Sequence, residues 1–399
     1  MTTVERTPLV DELLAKVEEI RPVIERNRDW NEEHRRLADE VYDAMINAGL
    51  FRMTAPNAFG GFEMHPSDIM RVYFSVAKID IAAGWNLNIG ASGAHTLATF
   101  PAAGGEEIYA TGPDLIAAGS LNPPAKATRV EGGWRVSGRL PFASGCQRAA
   151  WLGALCIATN ESGVERDPTT GRPLLLFVFM PRSEARVIET WNTMGMRGTG
   201  SHDIEFDSVF VPHLRVRIES KETAPAFAGP LYRTPGFVII GQAVPVLAAA
   251  ERAADELVSL AATKVPGLSR SKLAEHETAQ HHMGKARTFI EAAKSFMYDT
   301  LNDGYDHAAA GEPASLALEK RAQMAARFLA EAGTTAMDLV FEAAGTTGFM
   351  QSHGFERCFR DVHSLAQHTG HAPGRYASVG KVEFGIRSDT PALSALHAE

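Results

Sequence analysis

Histidine carries most of the usable chemistry in this chain, and it is bunched toward the C-terminal end. His363, His368 and His371 follow one another closely, with His281-His282 further upstream. Neither set has the i, i+4 histidine pair with a helix-borne carboxylate that zinc hydrolases use, so no metal is expected. Proton handling remains. An imidazole titrates near neutral pH, which suits His368 to taking up or delivering a proton. Its bland counterpart is a helix-end histidine, since Thr369-Gly370 directly after it reads as a helix stop. Ser144, before Gly145, offers a hydroxyl that can donate or accept, or simply shape a turn. Gly198-Thr199-Gly200-Ser201 is glycine-rich, but a strand follows it and not a helix, so it is no dinucleotide fingerprint. Ser92 lacks the spacing of a nucleophile elbow, and there is no P-loop.

Three zones must position these residues. Up to about residue 115 the pattern is helical: Leu13, Leu14, Val17, Ile20, Leu37, Val41 and Met45 recur at helical spacing between Val10 and Leu50. Asn47 to Leu50 reads as a stop, Pro56 and Gly60-Gly61 as a loop, and Pro66-Ser67-Asp68 as a restart. From about 116 to 220 the period changes to short strands. Thr128 to Ser137 reads as a hairpin turning at Gly132-Gly133, followed by strands at Trp151–Thr159, Leu174–Met180, Arg186–Glu189 and His202–Val211, a barrel or sandwich. From about 225 helices return at Pro245–Thr263, Leu273–Asn302, Ala314–Ala344 and Arg357–His368, as in an antiparallel bundle. Several are apolar on more than one face, which favours a homo-oligomer. Helix, β, helix is not a βαβ order, so a Rossmann sheet is disfavoured.

Bulk properties exclude other classes. With 45% hydrophobic and 22% charged residues the chain is globular, and a net charge of -9 without a Lys/Arg-rich run disfavours nucleic acid. No stretch approaches the roughly 18 consecutive apolar residues of a membrane span, and Met1 to Arg21 has no signal-peptide core. Cys146, Cys156 and Cys358 are odd in number and unpaired in spacing, which fits a reducing cytoplasm.

One long segment is more specific. Trp191-Asn-Thr-Met-Gly-Met-Arg-Gly-Thr-Gly-Ser-His-Asp-Ile-Glu-Phe-Asp-Ser-Val-Phe-Val-Pro212 resembles the middle-region signature of the acyl-CoA dehydrogenase superfamily, where a Met-Gly-x-Arg turn leads into a strand closing on Val-Pro. The resemblance implies an α+β fold of that type: an N-terminal helical domain (1–115), a middle β domain (116–220) and a C-terminal four-helix bundle (221–399). Dehydrogenases of the family often carry their base in a Tyr-Glu-Gly-Thr segment after an Arg-Asp pair. Here Arg360-Asp361 is followed by Val-His-Ser-Leu-Ala-Gln-His368-Thr-Gly-His371. That ending, and Gly133 to Gly145, look like the two-component flavin monooxygenases of this fold, such as the p-hydroxyphenylacetate hydroxylase oxygenase and dibenzothiophene monooxygenase.

Such enzymes take reduced FMN or FAD, diffusible from a separate NAD(P)H:flavin reductase, and react it with O2 to a C4a-(hydro)peroxide that oxygenates a small aromatic or amine substrate. The resemblance assigns Ser144 to flavin N5 or the peroxide, and His368 to acid–base work with His371 as competitor. It also implies Ser120, Asn122, Phe142, Trp191, Arg197, Thr199, Ser201, Arg270, Gln280 and Gly345 around the cofactor. Trp85, Asn88, His95 and His371 would face the substrate. A cytoplasmic homotetramer is expected, with no nucleic acid, membrane or metal partner. Two alternatives stand beside it: an acyl-CoA dehydrogenase or oxidase with FAD and a base such as Glu251 or Glu342, and a non-catalytic binding or scaffold protein.

Overall fold

The computed structural model describes residues 7–168, 171–219, 227 and 229–396, without the side chains of residues 94, 122, 123 and 395. Its helices begin with α1 (Pro8–His34), α2 (Asp39–Asn47), α3 (Pro66–Ile79), α4 (Ile81–Leu97) and α5 (Ala102–Ile108). The apolar stripe of α1 buries Val10, Leu13, Val17 and Ile24. The pattern expected to run from Val10 to Leu50 breaks at Arg35, which takes a left-handed φ of 53° and closes α1 before α2 starts. Pro66 opens α3 at its first position, where its missing N–H costs nothing, and the His65 ring accepts from Ser67 N–H at 3.3 Å.

The strands β1 (Ala117–Val130), β2 (Gly133–Ala143), β3 (Trp151–Asn160), β4 (Gly163–Val164), β5 (Leu175–Pro181), β6 (Arg186–Ile188), β7 (His202–Pro212) and β8 (Val216–Ile218) form one sheet ordered β6-β7-β2-β1-β3-β5-β8, with β4 on β3. It is mixed: β1 and β3 run parallel, the other pairs antiparallel. The β1–β2 turn sits one residue earlier than the Gly-Gly pair implied. Val130 pairs with Gly133, leaving Glu131-Gly132 as the turn, with Gly132 at φ 77°. Gly119 to Pro124 belongs to β1. The register slips between Ser120 and Ala125, where two prolines lack the donors a ladder needs.

The chain then returns to helix: α6 (Phe237–Ala261), α7 (Glu277–Ala309), α8 (Leu316–Ala344), α9 (Phe355–Leu365), α10 (Gly374–Glu383) and α11 (Pro391–Leu396). Helices α6, α7 and α8 pack on one another, and α9 contacts α6 and α8. Pro245 was read as a helix start, yet α6 begins eight residues earlier at Phe237 and carries Pro245 inside. A proline fits a first turn well, so the start signal misled; here burial of Ile240, Val244, Val246 and Leu247 outweighs one lost backbone bond. Among the described helices α6 alone is long and apolar enough to cross a membrane, but 78% of its most apolar stretch is buried inside the molecule. It is the core helix, packed against α3, α4 and α8.

One contact between distant segments sets up the site. Helix α9 buries Phe355, Cys358, Val362 and Leu365 along one face, and this carries Asp361 inward. The Asp361 carboxylate accepts from Met196 N–H at 2.5 Å, and Arg360 Nη1 donates to Met194 O at 2.7 Å. Between them Gly195 lies so close that a Cβ there would sit 2.3 Å from the Arg360 carbonyl oxygen. Arg360 is also paired with Glu32 at 2.7 Å, tying α1 to the same point. The segment Trp191–Ser201 is thereby held between the two helical parts of the chain.

Two outcomes follow from this clamp. Gly195→Ala forces helix and segment apart and is expected to cost about 1–3 kcal/mol in urea unfolding. Burial pushes the Asp361 carboxyl up to about 7, with Asp80 and Glu32 adding to the rise against the Met196 N–H and Arg360. A folded pKa above the unfolded value means that this group's stabilisation is complete below about pH 4 and lost as pH rises through about 7. Asp361→Asn keeps the acceptor for Met196 and cannot titrate. Between about pH 5 and about pH 8 its unfolding free energy is therefore expected to fall less than that of the unsubstituted protein.

Candidate active site

The clamped segment ends against Ser144. This serine follows β2 in a turn where Phe142 has a left-handed φ of 64° and Ser144 N–H donates back to the Phe142 carbonyl at 3.0 Å. Its hydroxyl is buried and accepts from the indole N–H of Trp85 on α4 at 2.8 Å. On the other side Ser144 Oγ lies 2.7 Å from Ser201 Oγ, which lies 2.6 Å from Thr199 Oγ1, and Thr199 donates to the Met196 carbonyl at 2.8 Å. Met196 is the residue whose N–H binds Asp361. Three zones far apart in sequence thus meet in one row of hydroxyls.

Trp85 links this row to the C-terminal histidines. Its ring meets His368 edge-on, centroids 5.1 Å apart, and His371 lies 5.5 Å beyond His368. Helix α9 stops at Leu365, so His368 caps the short turn Thr369–His371, and not the helix end read from sequence. His368 Nδ1 accepts from Gly370 N–H at 3.0 Å, which leaves the proton of the neutral ring on Nε2. His371 has the same tautomer, held through its other nitrogen: Nε2 donates to the Leu365 carbonyl at 2.8 Å, and buried Nδ1 has no partner among the described residues. Burial, aided by Arg375, lowers His368 to about 4. Burial and neighbouring His368 lower His371 to about 3. The expectation of a His368 that titrates near neutrality is therefore corrected. Both rings are uncharged at pH 7, and His368 offers a donor at Nε2, not a free basic nitrogen.

Around this centre the expected residues divide. Trp191 is half-buried; its indole N–H donates to the Met196 carbonyl at 2.9 Å, and its ring meets Phe142 edge-on at 6.1 Å. Phe142 is 65% exposed, so the two rings border an uncovered apolar surface beside Ser144. Ser120 is buried on β1; the side chain of Asn122, on the same strand, lies outside the described residues. Arg197 points elsewhere, its guanidinium donating to the carbonyls of Glu32 and Thr193, both at 3.2 Å. Arg270 and Gln280 are exposed, and Gln280 binds the Ala274 carbonyl at 2.9 Å. Gly345 caps α8 with φ 58°. His95 stacks on Phe237 at 4.9 Å and contacts the Leu231 carbonyl. Asn88 is buried with both amide atoms unpartnered, packed over Gly241 of α6.

Sequence reasoning passed over Asn86 and set Ser92 aside as a nucleophile; both are buried on α4 with polar atoms unpartnered among the described residues. Their signal was present: asparagines and a serine in the very apolar stretch Ile81–Leu97. Neither alternative base is a buried, unpaired carboxylate. Burial pushes Glu251 up, but hydrogen bonds from Lys294 and Lys78 outweigh it and leave its pKa lowered. Glu342 is exposed near the end of α8.

The chain is similar to known proteins over nearly its whole length. Residues 13–107 match the family model of the acyl-CoA dehydrogenase N-terminal domain, and residues 240–373 that of the C-terminal domain. Indole-3-acetate monooxygenase of Pseudomonas putida is 30% identical over 360 residues, 89% of each chain. The chain belongs to the flavin-dependent monooxygenases of the acyl-CoA dehydrogenase superfamily. Among solved structures, the 3-HSA hydroxylase of Rhodococcus sp. RHA1 superposes with a TM-score of 0.86 at 25% identity, over 94% of this chain and 97% of that one. XiaF of Streptomyces sp., solved with FADH2 and glycerol, gives a TM-score of 0.90 at 24% identity over 96% and 97%, and speaks for the fold alone. The helix–sheet–helix expectation is met, and the monooxygenase branch is the correct one. As a member of it, the protein is an oxidoreductase that uses reduced flavin and O2.

The histidine tautomers are directly testable. In a spectrum of the protein labelled with 15N-histidine, His368 and His371 should each keep a protonated Nε2 and an unprotonated Nδ1, unchanged from about pH 5.5 to about pH 8. A titration midpoint near 6.5 for either ring would overturn the assignment.

Proposed function

We propose that the protein is the oxygenase component of a two-component system that hydroxylates a small aromatic substrate carrying a polar N–H or O–H group. The observation that carries this reading is the meeting of Ser144, Trp85 and His368 at a buried point beside an exposed aromatic surface. A flavin fits there. Phe142 and Trp191 supply an apolar border for the ring, and Ser144 Oγ has a lone pair left beyond its two partners. Reduced flavin, when bound, supplies the two electrons that split O2 between the product hydroxyl and water. The balance is substrate-H, O2 and dihydroflavin giving substrate-OH, water and oxidised flavin.

The chain's own residues do the rest. Ser144 holds the flavin edge, while Trp85, Leu140 and the sheet behind it keep water from that edge. His368 presents Nε2–H to the developing oxyanion and stays uncharged. The unpartnered atoms of Asn88, Ser92 and His371 Nδ1 await polar groups of the substrate. His371 Nδ1 is the acceptor to which a substrate N–H or O–H would donate. Ser120 on β1 lines the ring, Thr199 and Ser201 act through Ser144, and Trp191 borders the ring. Arg197 holds the segment in place. The exposed positions Arg270, Gln280 and Gly345 belong to the phosphate side of a neighbouring copy. Exposed Val258, Val265, Leu268, Phe349 and Met350 near these positions support a homotetramer. Among the described residues β1 and β3 are parallel but joined through β2, so no βαβ unit offers a nicotinamide site, and a separate NAD(P)H:flavin reductase must reload the flavin. The division at about 115 and 220 and a cytoplasmic setting complete the proposal; three free, buried cysteines fit the latter.

The test supplies the protein with a flavin reductase, NAD(P)H, FMN or FAD, and a panel of phenols and indoles, and follows product against oxygen consumed. At least one substrate should give product coupled to O2, and none doing so would overturn the reading. His368→Ala should lower coupled product by about tenfold or more while dihydroflavin still binds. Unchanged coupling would remove His368 from the chemistry.

A further inference from the structure

The row of hydroxyls at Ser144 has only one way to arrange its protons. At one end is the indole N–H of Trp85, which can only donate; at the other is the Met196 carbonyl, which can only accept. Between them stand Ser144, Ser201 and Thr199, each with a single hydroxyl proton, at 2.7 and 2.6 Å spacings that require a proton in each gap. Thr199 must give its proton to Met196, so Ser201 must give its own to Thr199. Ser144 must then give its own to Ser201. The four contacts use all four protons. All four side chains are 1–6% exposed, so water does not compete for these bonds. Ser144 therefore faces any ligand with a lone pair and no proton.

We propose that this fixed polarity makes the site discriminate the redox state of its flavin, with Ser201 and Thr199 as positioning residues that act through Ser144. The inference rests on the reading above that Ser144 meets flavin N5. Dihydroflavin carries a hydrogen on N5 and satisfies the lone pair of Ser144. Oxidised flavin has a bare lone pair on N5, and the two lone pairs repel. To donate to oxidised N5, Ser144 would have to abandon Ser201 and leave a buried oxygen short of a proton. The same contact changes sign during turnover. As the flavin is oxidised, the N5 hydrogen departs as the proton that completes the water formed from O2. The spent cofactor then sits against an acceptor, which favours its release and reloading from the reductase.

Binding measurements test this without turnover. The protein is titrated anaerobically with dithionite-reduced and with oxidised FMN and FAD, and the ratio of the two dissociation constants is taken for each flavin. Ser201→Ala frees the Ser144 proton, so oxidised flavin should bind roughly tenfold tighter with little change for reduced flavin. Thr199→Val should move the ratio the same way by less, because Ser201 can then turn its proton toward Ser144. Thr199→Ser restores the hydroxyl and should restore the ratio. The Thr199 pair serves if Ser201→Ala does not fold. Ser144→Ala should collapse the discrimination outright. If Ser144→Ala leaves the ratio unchanged, the placement of Ser144 at N5 fails. If it collapses the ratio while Ser201→Ala and Thr199→Val leave it intact, the placement stands and the polarity inference is overturned.

Discussion

The structure turns on one backbone hydrogen bond, from Met196 N–H to the buried carboxyl of Asp361. Met196 gives its N–H to α9 and its carbonyl to Thr199 and Trp191, so the same peptide region answers to the C-terminal helix and to the row of hydroxyls. A shift of α9 by even a fraction of an ångström would move the acceptor that fixes every proton up to Ser144. Arg360, held by Glu32 and Glu356, stiffens the contact from the solvent side. The contact replaces the strand pairing that Trp191–Ser201 lacks, since β6 ends at Ile188 and β7 begins at His202.

Burial sets the chemistry of the site as much as residue identity does. An exposed histidine at position 368 would be half-charged near neutrality; buried beside Arg375 it is neutral and its tautomer is fixed by Gly370 N–H. It is an oriented dipole in a buried place. The serines and threonine follow the same logic: in water their protons would rotate freely, while between Trp85 and Met196 they have one arrangement. The unpartnered atoms of Asn86, Asn88 and Ser92 are the counterpart, buried polar groups with no partner among the described residues.

Much of this was legible in the sequence. The helix–strand–helix order follows from the change of period, and Ser144, His368 and the Trp191–Pro212 segment stood out by residue type and by resemblance. What escaped has physical reasons. Pro245 looks like a helix start because local propensity says so, and only the packing of α6 inside the bundle overrides it. The Gly119–Pro124 stretch has loop composition, yet Gly119 and Ser120 pair with Gly153 and Ala154 of β3. Arg197 was placed at the cofactor by resemblance, yet the Glu32 carbonyl it reaches on α1 comes close only after folding. The titration of His368 was misread because a pKa near 6.5 is a property of exposed imidazole, and burial is not written in the residue's name. The hydroxyl row was invisible for the simplest reason: its members are spread from position 85 to position 201, and their order in space is not their order in the chain.

That spread has a consequence for biosynthesis. Trp85 and Ser144 leave the ribosome early and the Trp191–Ser201 segment follows, but the carboxyl that anchors Met196 arrives only with α9, near the end of the chain. A nascent or truncated protein lacking that helix has the residues of the site without their fixed orientation. The contact that orients the row is thus completed only once α9 is in place.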